Sequence, residues 1–280
     1  MAKYGMVIDV SKCTGCYSCF IACKDEHCGN DFPPYAASQP NMGHFWMRII
    51  ESERGKYPKV KADFIAVPCM HCEKAPCVEA AEDNAVYRRP DGIVIIDPKK
   101  AKGQKDIVKS CPYRVIYWNE EKGIPQKCTF CAHLLDDGWK EPRCVEVCPA
   151  GALTFGDLDD PKSEVSKLVA SGKTEALHPE YGIKEKVVYI ALPKKFIAGT
   201  VVFGDTDECG KDAVVTLSGD GQKKTTKADI FGDFEFDGLA EDKEYSVEVE
   251  HPGYKLQKFS VQTKIDVYLG EIILSPKSSK

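Results

Sequence analysis

Twelve of the chain's fourteen cysteines fall into three blocks. The first is Cys13, Cys16, Cys19 and Cys23. The second is Cys69, Cys72 and Cys77, followed much later by Cys111 ahead of Pro112. The third is Cys128, Cys131, Cys144 and Cys148, again ahead of a proline, Pro149. Thiolates two residues apart in a tight loop can reach adjacent irons of a cubane, while the loop's backbone N–H groups point at the sulfides and offset part of the negative charge. Gly15 suits such a loop, and Pro112 and Pro149 mark breaks in local structure. Two other chemistries use many cysteines. Disulfides in a secreted chain would give looser spacings and no repeated Cys-Pro. Zinc would account for Cys69 with Cys72, or for Cys128 and Cys131 completed by Cys144 and Cys148, but it leaves the C-x-x-C-x-x-C run unexplained.

In bacterial two-cluster ferredoxins the first three cysteines of such a run hold one cubane, and the fourth, before proline, crosses to the other. Applied to the first and third blocks, the rule expects cluster A on Cys13, Cys16, Cys19 and Cys148, and cluster B on Cys128, Cys131, Cys144 and Cys23. The second block offers Cys69, Cys72 and Cys77, its fourth position is Ala81, and Cys111 supplies the missing ligand of cluster C. An ancestral fourth cluster would have needed a cysteine at 81 and three just before Cys111. None of these is present, so three [4Fe–4S] clusters are expected. With four thiolates each, they leave no open iron for a substrate, which favours outer-sphere electron transfer. No catalytic residue is expected on this chain.

Other residues carry weaker signals. His71, inside C-x-H-C, is a candidate to hydrogen-bond a cluster sulfur and raise its potential, or simply to pack. His44 and His133 read as hydrogen-bonding residues and Cys28 and Cys209 as free thiols. Lys12, Lys127 and Arg143 could favour a reduced cluster by charge or be solvated. Trp46, Trp118 and Trp139 could exclude water from the clusters or serve only as core aromatics.

Residues 1–155, with Cys69-Met70-His71-Cys72, Ala75-Pro76-Cys77, Ser110-Cys111-Pro112-Tyr113 and Lys127-Cys128-Thr129-Phe130-Cys131, resemble the iron–sulfur subunits of the molybdopterin oxidoreductases related to dimethyl sulfoxide reductase. Within that family, several features resemble the small subunits of pyrogallol–phloroglucinol transhydroxylases. They are the lost fourth cluster, the segment Met42-Gly43-His44-Phe45-Trp46-Met47, the stretch 115–121, the run 131–137 and an added β domain. The resemblance implies an electron-transfer chain paired with a large catalytic partner that holds a molybdenum or tungsten bis-pterin guanine dinucleotide. Substrate chemistry on hydroxylated aromatic rings would then occur on that partner. Two alternatives stay open: a related oxidoreductase with a non-aromatic substrate, and a stand-alone iron–sulfur binding or regulatory module.

These residues must be positioned by an α+β fold, a doubled bacterial-ferredoxin-like iron–sulfur domain followed by an all-β sandwich. Residues 5–10, 92–97 and 115–118 read as strands around the cysteine loops. The Pro- and Gly-rich stretch 31–54 is an insertion without a helix, suited to partner contact or plain packing. Residues 156–197 read as a connector, partly helical over 157–173 with Val165, Leu168 and Val169 on one face. From 198 to 280, short apolar strands at 198–203, 213–217, 234–236, 245–249, 259–261 and 267–274 alternate with turn residues. The string from Asp229 to Leu239 resembles transthyretin-like or carboxypeptidase-regulatory domains, which implies packing or interaction rather than catalysis.

Composition adds little conflict. Hydrophobic residues make up 43% and the net charge is -5, with no basic footprint for nucleic acid. No apolar run approaches the roughly 20 residues of a membrane helix. Met1-Ala2-Lys3-Tyr4 leads almost directly into the first strand, so no leader is expected. The expected location is cytoplasmic, unless a leader-bearing partner exports both.

Overall fold

The computed structural model describes residues 2–277. Its contacts divide the chain into two units: residues up to Glu51 with Asp63–Leu192, and Ser52–Ala62 with the chain from Pro193 onward.

In the first unit, β1 (Tyr4–Asp9) leads into the first cysteine loop and α1 (Ser18–His27). A long hairpin, β2 (Arg48–Lys56) and β3 (Lys59–Val67), precedes the second loop. Short elements then carry the chain past the second block: α2 (Pro76–Glu79), β4 (Val86–Arg88), β5 (Val94–Ile96) and α3 (Asp106–Lys109). The hairpin of β6 (Tyr117–Asn119) and β7 (Ile124–Gln126) enters the third block, whose helices are α4 (Ala132–Asp136) and α5 (Arg143–Glu146). After it come β8 (Leu153–Asp157), α6 (Glu164–Ala170) and β9 (Val187–Ile190).

β1 is the middle strand of a sheet ordered β8-β1-β9. It runs antiparallel to β8, with Met6 opposite Phe155, and parallel to β9, with Met6 opposite Val187. A strand covered on both faces needs a continuous apolar run rather than alternation, and Gly5, Met6, Val7 and Ile8 are all buried. The pairing has a direct consequence for chemistry. The Asp9 N–H donates to the Ala152 carbonyl at 2.8 Å, so the loop that begins at Cys13 and the loop that ends at Cys148 leave the sheet side by side.

The stretch read as a connector contributes β9, whose Val187 and Tyr189 are fully buried, and the Tyr189 hydroxyl donates to the Ala66 carbonyl at 2.9 Å. Its helix is shorter than the 157–173 reading, and Val169 is 39% exposed, which narrows the apolar face to Val165 and Leu168. Residues 75–116 form a satellite core of Ala85, Val86, Val94, Ile96, Ala101 and Ile107. Aliphatic packing thus fills the stretch where loops of a fourth cluster were missing from the sequence.

The second unit is a sandwich of seven strands: β10 (Lys195–Phe203), β11 (Val214–Gly219), β12 (Gln222–Lys227), β13 (Asp233–Leu239), β14 (Glu244–Glu250), β15 (Gln257–Gln262) and β16 (Val267–Leu274). One sheet is ordered β13-β10-β16 and the other β12-β11-β14-β15. Alternation places Val215 and Leu217, Phe234 and Phe236, and Tyr245, Val247 and Val249 in one core. The α+β class with a C-terminal β sandwich is therefore as expected. The tip of the β2–β3 hairpin belongs to this unit too. Arg54 pairs with the buried Asp266 at 3.0 Å, and Lys61 pairs with Glu235 and Asp237. Arg54 and Lys61 also lie over the Phe196 ring, at 5.6 and 5.0 Å.

Among the described residues, no helix is long and apolar enough to cross a membrane.

Candidate metal centres

Each of the three cysteine loops bends the same way. The residue before the second cysteine takes the left-handed conformation: Gly15 at φ 67°, His71 at φ 43° and Phe130 at φ 52°. For a non-glycine residue this costs on the order of 1 kcal/mol and persists only where the surroundings enforce it. The bend turns backbone N–H groups toward sulfur. His71 N–H lies 3.5 Å from Cys69 Sγ, and Phe130 N–H lies 3.4 Å from Cys128 Sγ. At position 15 the residue must also be small, because a Cβ there would come within 2.5 Å of the Phe64 ring.

All fourteen cysteines are free thiols. Cys13, Cys16, Cys19 and Cys148 line one cavity, walled by Ile8 and Ile49. Cys69, Cys72, Cys77 and Cys111 line a second, with His71 and Lys127 in its wall. The remaining four are buried together. Burial drives the Cys23 thiol far above its usual range, and Cys128 and Cys131 push it further; Cys144 is raised by burial and then by Cys131, Cys128 and Cys23. No three His, Cys, Asp or Glu side chains among the described residues converge as a single ion would require. A cubane's four thiolates instead stand apart, each on its own iron.

The same electrostatics orders the three groups. Cys19 is raised to about 11 by burial and by Cys13, Cys148 and Cys16, while the Cys23 and Cys144 thiols in the buried group also respond to Cys19. At the other side, Cys128 is raised to about 11, first by burial and next by Cys69. The buried group therefore lies between the other two. Cys19 and Cys23 sit one turn apart on α1, so a single helix serves two groups.

Three observations test whether these pockets fit anionic clusters. First, apolar burial raises thiols in all three groups, a cost that iron removes by replacing the proton. Second, Lys127 is 2% exposed, and the polar partners of its ammonium are the backbone carbonyls of Val94 and, at 3.1 Å, Cys128. A buried cation with only carbonyl partners calls for a nearby negative charge. Third, His71 Nδ1 accepts from the Val94 N–H at 3.0 Å, which puts the ring proton on Nε2, and that buried atom has no protein partner. The residues fit.

Other expected residues are placed as follows. His44 Nε2 lies 3.0 Å from the Trp118 carbonyl oxygen and His133 Nε2 lies 2.9 Å from Glu26, both hydrogen-bonding roles. Trp46 is in the core, whereas Trp139 is 40% exposed, with Arg143 over its ring at 5.8 Å. Lys12 is mostly exposed and pairs with Asp9, and Arg143 pairs with Glu26 and Glu146, so of the three cations considered only Lys127 is buried. One residue was overlooked in the sequence. His27 is 1% exposed, its Nε2 lies 3.8 Å from Cys131 Sγ, and burial holds its pKa down at about 3. Its spacing of four from Cys23 on a helix was the available signal.

Comparison with known proteins points to the same class of cofactor. Residues 60–158 match the 4Fe-4S dicluster domain and residues 197–270 the carboxypeptidase regulatory-like domain. The chain is 44% identical to the pyrogallol hydroxytransferase small subunit of Pelobacter acidigallici, over 98% of this chain and all of that one. It is 38% identical to a putative iron–sulfur subunit of dimethyl sulfoxide reductase from Halobacterium salinarum, over 68% of this chain and 79% of that one. It is 32% identical to an arsenate respiratory reductase iron–sulfur subunit of a Shewanella strain, over 67% and 96%. With its cysteine pockets and these relatives together, the chain belongs to the iron–sulfur electron-transfer subunits of the molybdopterin oxidoreductases related to dimethyl sulfoxide reductase.

Proposed function

We propose that the chain holds three [4Fe–4S] clusters and exchanges electrons with a molybdenum or tungsten bis-pterin centre on a large catalytic subunit that acts on hydroxylated aromatic rings. The ligand sets are Cys13, Cys16, Cys19 and Cys148 for cluster A; Cys128, Cys131, Cys144 and Cys23 for cluster B; and Cys69, Cys72, Cys77 and Cys111 for cluster C. A bound cubane supplies one reversible electron at a time. The chain's own residues ligate it, exclude water and set the charge around it. The aromatic substrate class rests on one observation: likeness to the pyrogallol hydroxytransferase small subunit runs through the C-terminal sandwich to nearly full length, whereas the other two relatives span about two thirds of this chain.

The test is anaerobic purification of the native complex, with iron, sulfide, molybdenum and tungsten measured on one sample and phenolic substrates assayed on it. About twelve irons per copy of this chain, beyond any on the partner, with a pterin metal and ring hydroxyl transfer or removal, is the expected result. Activity confined to oxyanions or sulfoxides would overturn the substrate class, and zinc in place of iron would overturn the clusters.

His71 is assigned a tuning role at cluster C. Its Nε2–H, fixed by the Val94 N–H on the opposite nitrogen, donates toward the sulfur-lined cavity and stabilises the more negative reduced state. His71→Asn is expected to lower the midpoint potential of cluster C alone in an EPR-monitored redox titration. An unchanged potential with the cluster intact would reduce His71 to a packing residue.

A further inference from the structure

Lys127 occupies an unusual position for a lysine. Its side chain lines the cavity bounded by Cys69, Cys72, Cys77 and Cys111, while the next residue in the chain, Cys128, belongs to the buried central group. The ammonium is tethered at both sides of that boundary, to the Val94 carbonyl on β5 and to the Cys128 carbonyl. No carboxylate accepts from it among the described hydrogen bonds and ion pairs, in contrast to Lys12 with Asp9 and Arg143 with Glu26 and Glu146. Burying an ammonium against neutral carbonyls alone is unfavourable, so the position calls for anionic groups close by.

The neighbouring thiols locate those groups. Cys77, on the outer side, lines the same cavity as the Lys127 side chain, and Cys128, on the inner side, follows it in the chain and offers its carbonyl to the ammonium at 3.1 Å. One cation therefore acts on both sets. Reduction adds a negative charge to a cluster, and a fixed cation in a low-dielectric interior stabilises that added charge.

We propose that Lys127 is a fixed counter-charge shared by clusters B and C, raising the midpoint potentials of both and easing electron passage across the junction between them. The inference rests on the ligand sets proposed above. It makes Lys127 a positioning residue that acts through the clusters and touches no substrate.

The test uses the intact complex carrying Lys127→Gln or Lys127→Arg, with EPR-monitored redox titration of all three clusters and iron counted on the same samples. In Lys127→Gln, reduction of B and C is expected to become about tenfold less favourable, which for a one-electron couple is about 59 mV. Cluster A should stay unchanged. Lys127→Arg should restore most of the shift, which a purely structural role would not require. His71→Asn, moving only cluster C, is the single-cluster control. Three intact clusters with unchanged potentials, or equal shifts of all three, would overturn the shared counter-charge while leaving the ligand sets standing. Wrong cluster counts in the unsubstituted complex would instead overturn the ligand sets.

If Lys127→Gln fails to assemble, unsubstituted complex grown with lysine labelled with ¹⁵N at Nζ keeps the question decidable. Pulsed EPR should show a weak ¹⁵N coupling on reduced B and on reduced C. Coupling on neither, or on one alone, would overturn the proposal.

Discussion

Replacing Cys111 by serine is expected to remove one cluster and leave two, with iron falling by about a third from roughly twelve per chain. Cys111 is far from its partners in sequence, yet it lines one cavity with Cys69, Cys72 and Cys77. A serine hydroxyl is far harder to deprotonate than a thiol, and this position is largely buried, which already raises the native thiol. Cluster C should be lost, and the aliphatic satellite core should hold the surrounding loops in place. The measurement is EPR and iron analysis of the purified complex. Loss of A or B with C retained would show that the ligand sets are wrongly drawn.

The second large effect is expected from Cys23→Ser. Cys23 is buried on α1, one turn beyond Cys19, and its electrostatic neighbours are Cys128, Cys131 and Cys19. Losing its thiolate should empty the central site and leave clusters at either end with nothing between them. Rapid-mixing experiments should then show cluster A still exchanging electrons while reduction of C from that side falls below detection. Iron would again drop by about a third, so the two cysteine variants match in metal content and differ in kinetics. Continued fast reduction of C would mean that the central group is not on the path.

The cysteine loops stood out in the sequence because a pair two residues apart, as in Cys13 with Cys16 or Cys128 with Cys131, is a statement about loop geometry, whereas the distant Cys111 and Cys148 reach the cavities lined by the others only through the fold. Six of the sandwich's seven strands were readable for a different reason, since inward Val, Phe and Tyr alternate along them. The polar strand β12, Gln222–Lys227, escaped because none of its residues is buried and alternation then carries no signal. The β2–β3 hairpin escaped for a related reason, its middle being charged and its tip packed in the other unit. His27 escaped because a histidine near cysteines is unremarkable until the helix phase is known. Lys127 was visible beside Cys128, but only burial distinguishes it from Lys12. Val169 failed as a core residue because α6 ends one residue later, at Ala170, too short to present a wide face.

The second unit is discontinuous in sequence: Ser52–Ala62 precede most of the cluster cysteines, and the rest starts at Pro193. This has consequences for inheritance and manufacture. During synthesis, the earliest strip of the sandwich emerges long before the strands it belongs with, and waits for them while the cluster loops are made. A gene fragment starting at codon 193 would omit Lys59 and Lys61, stranding Glu235 and Asp237 without those partners. Joining ends at Pro193 would therefore carry the sandwich over without the 52–62 strip that belongs to it. The sandwich in this form depends on a hairpin that lies inside the iron–sulfur part of the sequence.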